Sequence, residues 1–538
     1  MNKIFIITFF LSLPFLIFSQ NLKTEEIKVS KDFQAEIPDA FRINNQAYFI
    51  DTLKKEKSQD YSILSVDFNS KFNVRKLNAA SMRQEIEYDS SKNIFSIATG
   101  FKTLVNSKVL IERNKDNLTY GFIFNNLQNR YKINNIRSDN SNSNIISFLK
   151  HSTKTRYLDF NLNYNRRIYY CYAHKFETIN EALLENRFSY LNFSTTIASR
   201  YKNNLNSMLS FFISDFNEGS ENLISVKSHL NKKVDKKKYG VKLIFDNHLN
   251  YNSSQNIENI ESANSQLIML NPYFDFYKYN IKFNTGIKIN YESNDEISFF
   301  PNIKGEKELV KDIISIYFGL QSNNYRNTYK SLSDDNPYIH VLGTNQTIIK
   351  NDTIQQLKTT KEKEVFFGIK NRLSKTVLWH SSIHYGLINN FIYFDNNYKS
   401  DFNKFLANYI DVQQLKISSK YNQKISNILS FDLNGEYYNW NKEDISHKSN
   451  LIFDASLNLN LRDKIIIYPQ VVYKSRQKSF ADYELEERVH LNINLKYNYS
   501  NLISCFVNLN NVTNSQKFEW RDYKELGFNG HFGILFSL

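Results

Sequence analysis

The chain has 538 residues, a formal net charge of +14 and a mean hydropathy of −0.50, which excludes a protein built mainly of membrane-spanning helices. Aromatic residues make up 15% of it against 14 glycines and 6 prolines, which favours extended strands over small domains rich in turns. Two cysteines, far apart in sequence, argue against a disulfide framework and a cysteine-based metal site. We interpret the positive charge as the result of a Lys- and Asn-rich composition. A dedicated path for anions through the protein is the alternative.

The first 20 residues have the layout of a secretory signal peptide. Lys3 precedes an apolar stretch, Ile4–Phe18, that ends at Ser19 and Gln20. A basic start, a short apolar core and a polar end are typical of a cleaved leader, while a retained membrane anchor is the alternative. We therefore expect the mature protein to leave the cytoplasm, which makes nucleic acid an improbable partner.

Residues 21–82 are predicted to form a short periplasmic extension. The segment contains Pro38, mixed charges and only short apolar pieces such as Tyr61–Val66. It is too short for a large soluble domain. Residues 83–538 are assigned to a second domain, which contains the predicted strands.

From about Asn93 onward, apolar and polar residues alternate in runs that recur roughly every 20 residues. The clearest run is Tyr279–Tyr291, and Leu451–Leu461 and Val489–Tyr499 show the same pattern. A face of charged and amide side chains would be costly in the dry core of a soluble β-sandwich or solenoid, which is the alternative, whereas a hydrated lumen accommodates it. The predicted fold class is therefore all-β, a large antiparallel transmembrane β-barrel of about 14 to 22 strands.

Two segments between the predicted strands stand out by their charge. The lysines of the segment 232–238 indicate a turn with a solvated tip. The alternation weakens between Tyr325 and Glu364, which predicts a long external loop. Such a loop could bind a ligand, fold into the lumen or only cover the surface.

The search for chemistry finds one candidate group, on the predicted strand Thr376–Tyr385. His380 and His384 have the spacing of a helical metal pair, but on a strand they lie about 13 Å apart and cannot share an ion. Ser382 lies between them on the same face, and a Ser/His pair at the barrel wall is the enzymatic alternative. Because residues two apart on a strand point in parallel, we expect a direct Ser–His hydrogen bond to be strained. The sequence thus predicts no enzyme, no catalytic residue, no metal and no cofactor.

The last residues resemble the C-terminal signal by which the barrel assembly machinery recognises its clients. His531, Gly533, Phe536 and Leu538 place a polar residue, a glycine and two terminal hydrophobic residues in a final strand. A free last strand can be recognised by edge pairing, which is a physical reason for this position. An ordinary final strand is the alternative.

The segment just before this strand resembles the corresponding part of TonB-dependent receptor-like outer-membrane barrels of Gram-negative bacteria, in the short form without a plug. The residues that carry the resemblance are Asn508, Asn511, Glu519, Tyr523 and Gly527. A second match lies in Ile37–Ile43 and Tyr61–Val66, which look like the segment preceding such barrels. Glu25–Ser30 faintly resembles a TonB box, but the extension is about half the length of a plug, so the resemblance implies membership and location rather than transport driven by TonB.

Taken together, these features predict an outer-membrane barrel that passes or binds a solute. The implied partners are outer-membrane lipid and, during insertion, the barrel assembly machinery. The alternative is a structural or assembly partner that transports nothing and docks another envelope protein through the extension, and whether TonB is engaged stays open.

Overall fold

The computed structural model describes residues 92–174, 179–200, 205–251, 264–293, 297–340, 357–374, 376–396, 403–443, 445–479 and 483–538. All of them lie in the second of two units of the chain, Met82–Leu538. The predicted leader, the extension 21–82 with its three family-like segments, and the start of the predicted barrel domain at residue 83 lie outside the described residues. Those assignments stay predictions.

Twenty-two strands of the described residues pair into one antiparallel sheet. The first eleven are β1 (Lys92–Phe101), β2 (Thr103–Lys115), β3 (Leu118–Asn129), β6 (Asn140–Ser152), β7 (Arg156–Tyr170), β8 (Glu185–Ser199), β9 (Leu205–Phe216), β10 (Glu221–Val234), β11 (Lys237–Asn250), β12 (Ser265–Lys278) and β13 (Ile281–Glu292). The other eleven are β14 (Ser298–Val310), β15 (Ile314–Tyr325), β16 (Thr360–Ser374), β17 (Val377–Asp395), β18 (Leu406–Lys424), β19 (Leu429–Trp440), β20 (Leu451–Leu461), β21 (Ile465–Lys474), β24 (Arg488–Asn498), β25 (Ile503–Asn510) and β28 (Asn529–Ser537).

Short elements lie in the connections between these strands. They are β4 (Lys132–Ile133), β5 (Ile136–Arg137), β22 (Gln477–Lys478), β23 (Glu484–Leu485), β26 (Phe518–Trp520), β27 (Tyr523–Lys524), the helix α1 (Tyr329–Asp335) and two single 3-10 turns, Glu181–Leu184 and Asn217–Gly219. In the part of the chain that the structure describes, no helix is both long enough and apolar enough to cross a membrane.

The sheet closes on itself because its first and last strands pair. β1 and β28 run antiparallel from Ile94 opposite Ser537 to Phe101 opposite Gly530. A closed sheet leaves no unpaired edge, so every strand finds backbone partners on both sides. The predicted fold class is confirmed, and the strand number lies at the upper end of the expected range.

Alternate residues of each strand face lipid and lumen. On β16, β17 and β18 the residues Phe367, Ile383 and Ile417 lie side by side in one cross-strand row, and the first two side chains are 44% and 48% exposed. Such exposed aliphatic and aromatic rows are stable against hydrocarbon but not against water. Ser382 and His384, which flank Ile383 on β17, point to the lumen. The outer face is therefore the membrane face.

The two ends of the barrel differ in the length of their connections. At one end most strands are joined by tight turns, and Lys92 and Leu538 lie at this end. The turn between β10 and β11 consists of Asp235 and Lys236, which confirms the predicted lysine-rich turn. At the other end the connections are long, as is usual for the external face of such barrels.

Two predicted boundaries were wrong. Tyr279 and Asn280 were assigned to a strand because their polarity continues the alternation of β13. They form the two-residue hairpin turn before β13, with φ of 53° and 57°. Residues 361–364 were assigned to the long loop but lie in β16, where Glu362 and Glu364 share the lumen face and Lys361 and Lys363 lie on the opposite face. By contrast, β20 has the bounds expected for Leu451–Leu461, and β24 differs by one residue at each end from Val489–Tyr499.

Candidate functional site: a capped polar lumen

The densest apolar core of the described residues lies at the long-connection end of the barrel. Its buried members are Tyr172, Phe188, Phe216, Tyr329, Leu332, Ile339, Phe394, Phe405 and Tyr523. Most of them belong to connections rather than to strands. We call the described residues 171–174, 179–184, 326–340, 403–405, 445–450 and 511–528 of these connections the cap.

The helix α1 lies across the mouth of the barrel. It follows β15, yet its two ends contact β10 and β7, which are far from β15 in the barrel order. The backbone N–H of Tyr329, at the start of α1, donates to Glu221 Oε2 of β10 over 2.6 Å. A connection that is bonded to strands this far around the wall crosses part of the barrel opening. The described residues 326–340 of the predicted long loop therefore fold inward over the lumen and do more than cover the surface.

The other end of α1 is fastened to β7. The guanidinium of Arg167 donates to the carbonyl oxygen of Ser333 over 3.2 Å, to its hydroxyl over 2.9 Å, and pairs with Asp334 at 2.8 Å. Arg167 and Glu221 are both buried. An acid at the start of a helix and a cation at its end both complement the helix dipole. We call Arg167 and Glu221 the latch.

The family-like segment before the last strand is the second component of the cap. Tyr523, in the hairpin of β26 and β27, stacks on Tyr338 with 3.7 Å between ring centroids, and its hydroxyl donates to the carbonyl of Asn403 over 3.1 Å. Trp520 of the same hairpin packs against Phe394 and Phe405. The cap is therefore made by connections from at least three parts of the barrel.

The other family-like residues support this hairpin from the wall. Gly527 has a φ of +67°, which favours glycine, and Asn511 has a φ of 47° and closes the loop by donating to the carbonyl of Ser515 over 2.7 Å. Glu519 lies 3.6 Å from the Arg488 guanidinium. The amide of Asn508 lies 3.0 Å from His531 Nε2. Only Tyr523 among the five enters the core of the cap.

Two histidines of the cap are held neutral at pH 7. Burial, and then the nearby Lys404 ammonium, lower the pKa of His340 to about 4. Burial likewise lowers the pKa of His447, which packs against Phe405 and Trp520, to about 4. The closed cap therefore binds fewer protons than an open one below neutral pH.

The lumen wall beneath the cap is polar and concave. Side chains from strands two apart meet across an intervening strand, which a concave surface allows. Three such contacts are His229 with Tyr273 at 2.9 Å, Tyr317 with His380 at 2.6 Å, and Lys370 with Glu306 at 3.1 Å. Charges of both signs, phenols, amides and imidazoles thus share one surface.

The predicted strain in the Ser382–His384 pair is wrong. His384 Nε2 lies 3.1 Å from Ser382 Oγ, and His384 Nδ1 lies 3.0 Å from Glu364 Oε2. Parallel Cβ directions do not prevent the contact, because an imidazole is long enough to lean along the strand. His380 has a separate partner, Tyr317, and within the described ranges no group of three or more His, Cys, Asp or Glu side chains is placed to hold a metal ion.

The residues of the predicted insertion signal lie on both faces of β28. His531 and Gly533 face the lumen and are buried, whereas Phe536 and Leu538 face outward and are 41% and 62% exposed. A Cβ at Gly533 would come within 2.5 Å of Ala98 Cβ and of the carbonyl oxygen of Ile97 in β1. Gly533 therefore allows the close approach at the seam. Recognition by the assembly machinery stays a prediction.

Sequence reasoning missed the latch and most of the cap. Arg167 and Glu221 look like ordinary members of alternating strands, and their partners on α1 lie more than a hundred residues away. One signal was available, because Tyr172, Tyr338 and Phe405 are large apolar residues in connections that should otherwise be polar.

No family model matches this chain, and no curated protein matches it in sequence. Among solved structures it is similar to a ferric enterobactin receptor, PfeA, of Pseudomonas aeruginosa (11% identity, TM-score 0.60, covering 84% of this chain and 80% of that one). The siderophore receptor PirA of Acinetobacter baumannii gives 12% identity, a TM-score of 0.62 and coverage of 84% and 81%. The copper transporter OprC gives 10%, 0.59, and 83% and 80%.

The chain has the fold of these receptor barrels. This agrees with the predicted resemblance to TonB-dependent receptor-like barrels and, with the apolar outer face, places the described barrel in the outer membrane. The proteins it resembles are named as receptors and a transporter rather than as enzymes.

Proposed function

We propose that this protein is an outer-membrane receptor-like barrel that binds a polar solute in its lumen and admits it past the cap. The observation that carries the proposal is the combination of a latched mouth with a polar wall. A permanently open pore has no need of a buried apolar core across its opening, whereas a receptor uses such a closure to admit its solute selectively.

The chemistry of the wall favours a solute with several polar groups over a simple anion. Several lysines on the wall are paired with carboxylates or lie over tyrosine rings, as Lys416 does with Glu436 at 3.4 Å and over the Tyr438 ring at 5.2 Å. The charge is therefore locally balanced, and recognition rests on many hydrogen-bonding groups. The named ligands of the similar receptors, ferric enterobactin and copper, make metal chelates the first probes to test.

A tryptophan in the wall offers a direct test. Trp440 stacks on Tyr438 with 5.6 Å between centroids and donates to Gln414 over 2.9 Å. Ferric enterobactin and copper(II) would each be titrated into the purified full chain while fluorescence and heat are recorded. We expect saturable binding of a probe that weakens at least 10-fold in the double variant Glu436→Ala and Tyr438→Ala, and is unchanged in the lipid-facing control Leu387→Ala.

Absence of saturable binding with both probes would count against a chelate receptor and favour the structural alternative. In that alternative another envelope protein docks through residues 21–82, so deleting them would abolish co-purification of the partner. If a partner stays bound after the deletion, the alternative is wrong.

Three further proposals concern partners and catalysis. We propose that the barrel assembly machinery recognises β28, since this strand closes the barrel by pairing with β1. We propose that catalysis is not the main function of the chain, and that engagement of TonB, if it occurs, depends on residues 21–82.

A further inference from the structure

Three lumen-facing side chains of β16 and β17 form a hydrogen-bonded chain in the order carboxylate, imidazole, hydroxyl. Glu364 Oε2 lies 3.0 Å from His384 Nδ1, and His384 Nε2 lies 3.1 Å from Ser382 Oγ. A nucleophile within reach of a base that is itself oriented by a third group is the geometric signature of activated serines.

The imidazole is fixed in the orientation that such chemistry requires. Because the carboxylate of Glu364 accepts from Nδ1–H, the lone pair of Nε2 points to the Ser382 hydroxyl. The side-chain amide of Gln321 donates to the other oxygen of Glu364, and the ring of Phe366 stacks on His384 at 5.7 Å. The base is thus held by hydrogen bonds and by packing.

A glycine makes room for the carboxylate. Gly386 is the cross-strand partner of Glu364, and a Cβ at Gly386 would lie 2.8 Å from the Cβ of Glu364 and 2.7 Å from the carbonyl oxygen of Lys363. Any side chain at this position would push Glu364 away from His384. Gly386 is therefore a positioning residue for this chain of hydrogen bonds.

The surroundings of Ser382 define what could react there. Ser418 Oγ lies 2.8 Å from Ser382 Oγ and can donate a hydrogen bond to an adjacent oxyanion, and its neighbours on β18, Lys416 and Lys420, face the same lumen. Ser382 is only 5% exposed, so it suits a small acyl group. Since Ile383 faces lipid and Ser382 faces the lumen, the substrate must come from water rather than from the bilayer.

We propose that Ser382 is the nucleophile of a hydrolytic site that cleaves small water-soluble esters inside the lumen. Ser382 Oγ attacks the ester carbonyl and its proton passes to His384 Nε2. The tetrahedral adduct expels the alcohol, which takes that proton. Water then attacks the acyl-serine with His384 again as base, and the carboxylate product leaves with Ser382 restored. This activity is independent of which solute the receptor binds.

The test is covalent labelling of the purified full-length barrel with diisopropyl fluorophosphate, read by intact mass. The serine oxygen forms a bond to phosphorus and fluoride leaves. We expect one adduct on the native chain, none on Ser382→Ala, and an unchanged adduct on Ser381→Ala, whose hydroxyl faces outward and contacts Ser419 at 2.8 Å. The latch variant Arg167→Ala is labelled in parallel, so that a closed cap cannot hide the site.

Hydrolysis of p-nitrophenyl acetate separates catalysis from reactivity. We expect His384→Gln and Glu364→Gln to lower the rate at least 10-fold. Gly386→Ala should lower it and shift its pH profile, which a merely structural defect would not do. Equal labelling of Ser382→Ala and the native chain would overturn the proposal, as would absence of an adduct from both the native chain and Arg167→Ala.

Discussion

At the scale of single residues, the latch shows how two buried charges hold a helix that has too little core of its own. α1 has seven residues, and only Tyr329, Leu332 and Ser333 of it are buried. A helix this short is unstable alone. Arg167 and Glu221 supply the missing partners at its two ends, because each satisfies groups that the helix leaves unpaired.

Arg167→Ala should weaken the cap by about 2 kcal/mol, since hydrogen bonds to a charged donor in a buried site are lost. A cysteine placed at Ser418 in the lumen reports this in whole cells. We expect its labelling by a bulky, membrane-impermeant maleimide to rise at least 10-fold in Arg167→Ala. The control is Arg156→Ala, at the exposed far end of the same strand. Equal labelling in both variants would show that Arg167 does not hold the cap closed.

The cap should also loosen in acid. The ordinary pKa of His is about 6.5, and in the closed cap the values for His340 and His447 are about 4. Between these values an open cap binds more protons, so the stability of the closed cap is complete above pH 6.5 and is lost as the pH falls towards 4, by about 3 kcal/mol per histidine at most.

Maleimide labelling of the same lumen cysteine from pH 7.5 to 5 measures this effect. It should increase as the pH falls in the native chain and stay flat when both histidines are replaced by glutamine. The nearby cations Lys404, Lys448, Arg488 and Arg521 reinforce the effect, since they repel the positive charge of a protonated imidazole. A flat profile in the native chain would contradict it.

At the scale of elements, the strands were predictable and the cap was not. Period-2 alternation gave β20 with its bounds, because one face of a barrel strand must be apolar to meet lipid. The same rule failed at Tyr279 and Asn280, where a turn continued the pattern. It could not place Tyr338 beside Tyr523, since their contact depends on how connections from distant strands fold across the mouth.

The seam between β1 and β28 is the element on which closure depends. Gly533→Val should force the two strands apart, at a cost of about 1–3 kcal/mol for overpacking, because its side chain would meet Ala98 and the β1 backbone. We expect a lower yield of folded barrel, measured as the fast-migrating band of unheated samples on gels. Phe532→Val, whose side chain is 64% exposed to lipid, serves as control. Identical yields would mean that the seam tolerates a side chain at this position.

At the scale of the whole molecule, a closed wall of 22 strands encloses a lumen that is polar along its length and obstructed at one end. The wall gives the stability and the membrane location. The connections at the long-connection end pack across the mouth, and we propose that they control access. The proposed control of access is thus located where the sequence pattern is least regular, as is common for loops carried on a rigid scaffold.

The measurement that bears most directly on the capped lumen is planar-bilayer conductance of four forms of the chain: intact, without residues 21–82, without residues 327–358, and without both. We expect the form lacking only 21–82 to stay closed, because the cap is intact, and the form lacking both segments to show a large steady conductance. A full-size steady conductance in the form that lacks only 21–82 would contradict closure by the cap.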